Sequence, residues 1–279
     1  MFPTAIYYPQ FSDTCRLKSL CTFDDIAKNI QAAYSELGHN IEIHDLLHRK
    51  PDCERPLILA ANIVNLLPVV NDLIPSNAIV YNFEQLAFDD EWRIPEYLGI
   101  LSRVAQVWDY SAANVRWLAS QNIESFYVAY GASGFLKPVT KKPAKNTWLF
   151  IGLPHERRRI AIEYLFQCGQ RVHGVSGFYS DELTPQLETS EAVLSIHAKP
   201  KGQFDVVRHI HVWAAGLPIL AEYPADYSSL PGVYKRLTFH SYANLNTYLT
   251  QGNANKLHTL PLMRDSLKLI DATKQSNAL

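Results

Sequence analysis

Ser190–Glu222, SEAVLSIHAKPKGQFDVVRHIHVWAAGLPILAE, reads as strand, helix and strand. Ala192–Ile196 is an apolar run fit for a buried strand. The polar turn HAKPKG follows, with His197, Lys199, Lys201 and Gly202. A helical pattern then spans Gln203 to Ala215 and is stopped by Gly216 and Pro218. Leu217–Ala221 resumes the apolar run, and Glu222 stands at its end. Strand, helix, strand within about thirty residues is a βαβ unit. The turn after its first strand lies at the carboxyl edge of the sheet, where open α/β sheets bind ligands. Free N–H groups of a helix starting near Gln203 suit a diphosphate there. Lys199, Lys201 and Arg208 add positive charge. The competing reading is a generic βαβ unit whose basic residues are merely solvated.

The chain has 279 residues, more than one core usually serves, so two domains are expected. Hydrophobic residues make up 47% and charged ones 19%, which excludes a disordered chain. A net charge of −1 argues against a broad nucleic-acid footprint. Met1–Ser12 lacks the basic start and apolar core of a signal peptide. The longest apolar stretch, Pro56–Val70, is broken by Asn62, Asn65 and Pro68 and does not fit a transmembrane segment. Cys15, Cys21, Cys53 and Cys168 show no paired spacing, so a reducing, cytoplasmic setting is expected.

Taken in order, the chain alternates strands and helices. Strands are expected at Ala5–Tyr8, Asn40–Ile43, Leu57–Ala60, Ala78–Tyr81, Val104–Val107 and Glu124–Val128. Helices are expected at Phe23–Leu37, Ile63–Leu73, Pro95–Ser102 and Ala112–Ser120. This alternation predicts α/β architecture with parallel sheets. Two strand ends deliver the polar tetrads Asn82-Phe83-Glu84-Gln85 and Trp108-Asp109-Tyr110-Ser111 to the ligand-facing edge. KPVTKKPAK, 137–145, reads as a linker between a domain at 1–136 and a second at 146–261, followed by a C-terminal helix within 262–279. The second domain opens with a strand at Thr147–Ile151, then Gly152 and a helix whose first turn holds Arg157, Arg158 and Arg159. Arginines are unfavourable beside a helix N-terminus unless something anionic neutralises them, which points to a phosphate ligand. They could equally reach solvent, Glu156 or Glu163.

The ordered motifs YNFEQL, VWDYSAAN, FIGLPHERR and LSIHAKPKGQFDVVRHIHVWAAGLPILAE resemble a group of bacterial and phage-type glycosyltransferases of the GT-B fold. The resemblance runs from about Ala78 to Glu222. It implies two Rossmann-like domains facing across a cleft, and transfer of a sugar from a nucleotide-sugar donor of UDP or GDP type, with no other cofactor and no bound metal. Gly152, Arg157 and Arg158 match the FIG-arginine element, and His197, Phe204, Arg208 and Glu222 the later one. With Lys201 and Gln203, these are the expected donor-side residues. Asn82, Glu84 and Tyr110 are expected on the acceptor side. The acceptor is open among glycan, protein, lipid and modified DNA base. Many retaining enzymes of this fold carry a glutamate five residues before the glycine of the AAG turn; here that position is His211, so the stereochemical outcome is not assigned.

Glycosyl transfer needs a base for the acceptor hydroxyl, positive charge for the leaving diphosphate and exclusion of water. Glu84 is the expected base, with a capping carboxylate as its structural reading, and His44-Asp45 is the competing candidate. His197 is either a catalytic donor to a phosphate or sugar oxygen or a satisfied core histidine. Glu222 is expected to hold ribose hydroxyls. His209 and His211 are two apart on a helix and point in different directions, which disfavours a metal site with His197. Two alternatives stand beside the transferase: a nucleotide-sugar epimerase of the same fold, and a non-catalytic nucleotide-binding partner subunit. No GxGxxG follows any strand, so a plain Rossmann dehydrogenase is not expected.

Overall fold

The computed structural model describes residues 2–10, 22–61, 73–89, 93, 95–139, 147–175, 182–235, 237, 239–244, 247 and 261–269. The chain forms two compact units: Met1–Phe135 with Pro261–Leu279, and Leu136–Leu260. Nearly all of the helix expected over 63–73, its residues 63–72, and most of the lysine-rich linker lie outside the described residues.

The first unit holds six parallel strands: β1 (Ala5–Tyr8), β2 (Glu42–Asp45), β3 (Pro56–Ile58), β4 (Ile79–Asn82), β5 (Gln106–Asp109) and β6 (Phe126–Tyr127). Their spatial order is β2-β1-β3-β4-β5-β6. Sequence order reverses at β1, which pairs with both β2 and β3. The strands β1, β3 and β4 are buried along their whole length. That is why they read as unbroken apolar runs rather than alternating ones. Helices α1 (Thr22–Glu36), α2 (Pro95–Arg103) and α3 (Ala112–Ser120) connect them. One core gathers Tyr7, Ile58, Val80 and Val107 from the strands with Ile100, Leu101 and Leu118 from the helices.

The expected separate C-terminal helix is instead part of this unit. Residues 263–269 form a helical C-terminal segment, with Met263 and Leu267 buried. Ala132 N–H donates to the Pro261 carbonyl at 2.8 Å, and Met263 N–H donates to the Ala132 carbonyl at 2.9 Å. Fully buried Asn29 on α1 anchors the other side: its Nδ2 donates to Gly131 O at 2.8 Å, and its Oδ1 accepts from Ser133 N–H and Oγ–H.

The second unit is a five-stranded parallel sheet: β7 (Thr147–Ile151), β8 (Arg171–Val175), β9 (Ala192–Ser195), β10 (Ile219–Glu222) and β11 (Phe239–His240). The spatial order is β11-β10-β9-β7-β8, reversing between β7 and β9. Its helices are α4 (Glu156–Gln167), α5 (Leu183–Glu188), α6 (Val206–Ala214) and α7 (Gly232–Lys235). Trp148, Phe150, Leu165, Leu194 and Leu220 form its core. The helix expected from Gln203 starts three residues later. Asp205 is its N-cap, accepting from Arg208 N–H at 3.2 Å, so Gly202–Phe204 belong to the loop.

Candidate functional site

In the second unit, the sequence reversal places the loops after β7 and β9 beside each other at the carboxyl edge. Open α/β sheets bind ligands at this kind of switch point. Arg157, Arg158, His197, Arg208 and Glu222 converge there. The Arg157 guanidinium donates from Nη1 to the His197 carbonyl and to Glu222 Oε2, both at 2.8 Å, and from Nη2 to Glu222 Oε1. Glu222 Oε2 also accepts the His197 N–H at 2.9 Å. The Glu222 side chain is 6% exposed, so this carboxylate is a buried knot joining the ends of β9 and β10 to α4. Arg158 donates from Nε to Ile196 O at 2.9 Å and from Nη1 to Leu153 O at 3.2 Å. The arginines expected to be unfavourable in the first turn of α4 are thus turned onto strand-end carbonyls and Glu222, and Arg159 approaches Glu163 at 4.0 Å.

Arg208 pairs with Asp205 at 2.9 Å. The helix N-terminus expected to be open to a diphosphate therefore carries its own carboxylate cap. What remains is an excess of cations. Three guanidiniums face two carboxylates, and Arg158 bonds only carbonyls. Burial, then Arg208 and Arg157, pull the Arg158 guanidinium down to about 10.

His197 is 7% exposed and its Nε2 has no hydrogen-bond partner. Its ring lies against Gly202: a Cβ there would collide with His197 Nδ1, so only glycine fits. Gly152 has φ +148, and a Cβ on it would lie 3.2 Å from Arg158 Nη1. Burial pulls His197 down to about 4. His209 is pulled down equally by burial. Its Nδ1 donates to the Asp205 carbonyl at 2.5 Å, so its Nε2 is a bare, unpartnered acceptor.

One donor-side expectation needs correction. Phe204 is a core residue: its ring packs on His209, Trp213, Tyr234 and Phe239, and its N–H donates to Asp226. Gln203 is fully buried beside it. Lys201 is exposed at the tip of the turn. The sequence reading also passes over Tyr223, directly after Glu222. Its ring is 53% exposed and stacks on Tyr227 at 4.8 Å.

In the first unit, the motifs NFEQ and WDYSAAN form one hydrogen-bond network. Asn82 Nδ2 donates to Asp109 Oδ2 at 2.7 Å and to Glu84 O at 3.1 Å. Its Oδ1 accepts from Glu84 N–H at 3.0 Å and from Tyr97 O–H at 2.7 Å. That uses all four hydrogen bonds an amide side chain can make. Asn114 Nδ2 donates to Glu84 O and Asp109 Oδ1, and its Oδ1 accepts from Ala87 N–H. Asn82 is therefore not an acceptor-binding group but half of a clamp on the Glu84 backbone. Tyr110 is corrected too: it is 8% exposed and stacks on Phe83 at 5.9 Å. Phe83, half-buried among Tyr81, Tyr110, Tyr130 and Phe23, is the aromatic ring beside half-buried Glu84. Its place between two polar residues of the tetrad was the available signal.

No protein-family model matches the chain, and no curated protein matches it in sequence. Among solved structures it is similar to the sucrose-phosphate synthase of Thermosynechococcus elongatus, with a TM-score of 0.59 at 10% identity over 99% of both chains. The fold is GT-B. The likeness carries the architecture and nothing finer, because identity is so low. The GT-B reading accounts for two parallel sheets in one chain, each with a switch point. Among the described residues, no helix is long and apolar enough to cross a membrane, and no group of three or more His, Cys, Asp or Glu is placed to hold a metal ion.

The buried ionisable groups of the two GT-B units give opposite pH responses. In the second, His197 and His209 bind protons more readily unfolded than folded. The stability they contribute is full above about 6.5 and is lost as pH falls toward about 4, by about 3 kcal/mol each. In the first, burial raises Asp109 to about 8 against three hydrogen bonds that favour the carboxylate. Its folded form holds the proton more tightly, so stability falls as pH rises from about 4 to about 8. Calorimetry across that range is expected to resolve two transitions moving in opposite directions. Parallel movement of both would contradict these assignments.

Proposed function

We propose that the protein is a glycosyltransferase, of the bacterial and phage-type group its motifs resemble, that moves a sugar from a nucleotide-sugar donor to an acceptor hydroxyl. The observation that carries this is the convergence of three guanidiniums on two carboxylates at the carboxyl edge of the second sheet, where burial first, and then repulsion from Arg208 and Arg157, pull Arg158 down against the attraction of Asp205 and Glu222. A diphosphate there removes that repulsion and stabilises the leaving group. The acceptor oxygen bonds to the anomeric carbon, whose bond to the diphosphate oxygen breaks with its electron pair passing to that oxygen. The acceptor proton passes to Glu84. His197 Nε2, buried and without a partner, supplies one hydrogen bond to a donor oxygen. The arginines provide the charge stabilisation, so the reading needs no metal. The epimerase alternative is less well supported, because Glu222 is already bound by Arg157 and the His197 N–H.

Thermal shifts with UDP-, GDP-, TDP-, ADP- and CMP-sugars test the reading. One nucleotide class is expected to raise the melting point equally with and without EDTA. Arg208→Ala is expected to weaken that binding by about 1–3 kcal/mol, since it removes a cation and leaves the Asp205 carboxylate facing the phosphate. No shift with any nucleotide-sugar, in the folded full-length chain, counts against the proposal and favours the non-catalytic partner subunit.

A further inference from the structure

Asp109 closes β5 beside Asn82, its register neighbour at the end of β4. It is fully buried, and its bonds all come from N–H donors. Oδ1 accepts from Ser111 N–H at 2.7 Å and from Asn114 Nδ2 at 3.1 Å, and Oδ2 accepts from Asn82 Nδ2 at 2.7 Å. A carboxylate costs free energy to bury, and asparagine fills the same space without the charge. The difference between them lies at the second oxygen. A carboxylate accepts on both sides, whereas an amide presents N–H on one of them.

The Asn82 amide has a single workable orientation. Glu84 N–H can only donate, so Asn82 Oδ1 faces it at 3.0 Å, and Nδ2 then faces Asp109. Burial, then the charges of Glu84 and Asp109, push the Tyr97 hydroxyl well above its usual value, so it keeps its proton and donates to the same Oδ1 at 2.7 Å. Asn114 is oriented likewise, with its Oδ1 on Ala87 N–H at 2.9 Å. Both amides also donate to the Glu84 carbonyl, at 3.1 and 2.6 Å, and so link Asp109 to the Glu84 backbone. A buried group that costs the fold stability, as this carboxylate does, is the kind of exception that gathers at sites of function.

We propose that Asp109 is a positioning residue for Glu84: its carboxylate sets the Asn82 amide, and that amide holds the turn that presents the Glu84 side chain. The proposal rests on the transferase reading, in which Glu84 takes the acceptor proton. Asp109→Asn isolates the effect. Ser111 N–H and Asn114 keep the oxygen of the new amide on their side, so its NH2 group meets Asn82 Nδ2. Asn82 must turn over, and its own NH2 group then opposes Glu84 N–H and Tyr97 O–H. A proton on Asp109 acts in the same way, because Oδ1 already accepts two N–H groups and the proton falls to Oδ2. Among the described residues, the titratable groups of this network are Tyr97 from α2 and Glu84 beyond β4, while Asn114 from α3 and Ser111 are neutral.

The test is Asp109→Asn in the full-length chain. Water-exchange NMR at about pH 9, where the parent Asp109 is ionised, reads the N–H groups of Glu84 and Ala87. Glu84 N–H is expected to exchange about ten-fold faster in the variant, the protection one hydrogen bond gives, and Ala87 N–H at the parent's rate. Turnover is read as nucleotide released to water from UDP-, GDP-, TDP-, ADP- and CMP-sugars. It is expected to fall about 10²-fold at saturating donor, as for a misplaced catalytic group, with the donor KM unchanged. The parent's turnover is expected to rise with pH up to about 8, as Asp109 loses its proton, and the variant's is not. Unchanged exchange at Glu84, equal acceleration at Glu84 and Ala87, undiminished turnover, or the same pH rise in the variant overturns the proposal. If Asp109→Asn does not fold, Asn82→Asp combined with Asp109→Asn decides. That exchanged pair returns an acceptor to Glu84 N–H and Tyr97 O–H, and is expected to fold and protect Glu84 N–H as the parent does. Its failure to fold, or fast exchange at its Glu84, overturns the proposal. A parent that releases no nucleotide, with the expected exchange pattern in its variant, sinks the transferase reading and leaves Asp109 as the group that holds the Glu84 turn.

Discussion

Arg157→Ala is expected to destabilise the second unit by about 3–5 kcal/mol, the cost of leaving a buried carboxylate without its cation. Glu222 is held on both oxygens by Arg157 and on one by the His197 N–H. Removing the guanidinium leaves a single N–H to stabilise a carboxylate shut away from water. It also frees the His197 carbonyl of its bond to Arg157. Denaturant melts of the full chain measure the loss. Replacing both partners together, Arg157→Met with Glu222→Leu, is expected to restore most of the stability, because no unpaired charge then remains. The double variant should still fail to bind a nucleotide-sugar, which separates the role of the pair in holding the strand ends from its role toward a ligand. An Arg157→Ala protein that melts like the parent would show that the pair contributes nothing to the fold.

The second large effect is expected at Glu84. Glu84→Gln keeps the shape of the side chain and removes its capacity to take a proton. The Glu84 backbone is clamped by Asn82 and Asn114, so the substitution leaves the local structure in place. Transfer is expected to slow by about 10²–10⁴-fold, the range general bases contribute, with donor binding unaltered. Initial rates at saturating donor, compared with the donor-induced thermal shift, measure the two separately. Undiminished turnover in the Glu84→Gln variant would pass the role of base to another group, His44-Asp45 or the leaving phosphate.

The strands are legible in the sequence because a parallel sheet covered on both faces demands continuous apolar runs. β1 and β7 fall on the expected residues. Helix starts are less legible. Asp205 fits the periodic pattern from Gln203 as well as it fits a cap, and only its bond to Arg208 N–H separates the two. The polar residues at strand ends can be located from sequence, but their partners cannot. Asn82 finds Asp109 27 positions away, and Arg157 finds Glu222 65 positions away. A polar side chain at such an edge can serve a ligand or a neighbouring strand, and nothing local distinguishes them. Phe204 reads as a ligand residue for a similar reason, since its aromatic neighbours are scattered from His209 to Phe239.

The C-terminal segment that pairs with Ala132 has a consequence for synthesis of the chain. The second unit is an insertion within the first, bounded by a piece that leaves the ribosome after the whole of the second unit. The second sheet can therefore finish while the first still lacks Met263 and Leu267, which fill its surface beside Ala132. Domains ordinarily complete themselves from the N-terminus onward. Here the first unit waits for a segment made after the second to cover the apolar surface that Met263 and Leu267 fill, and a chain truncated before Pro261 leaves it open.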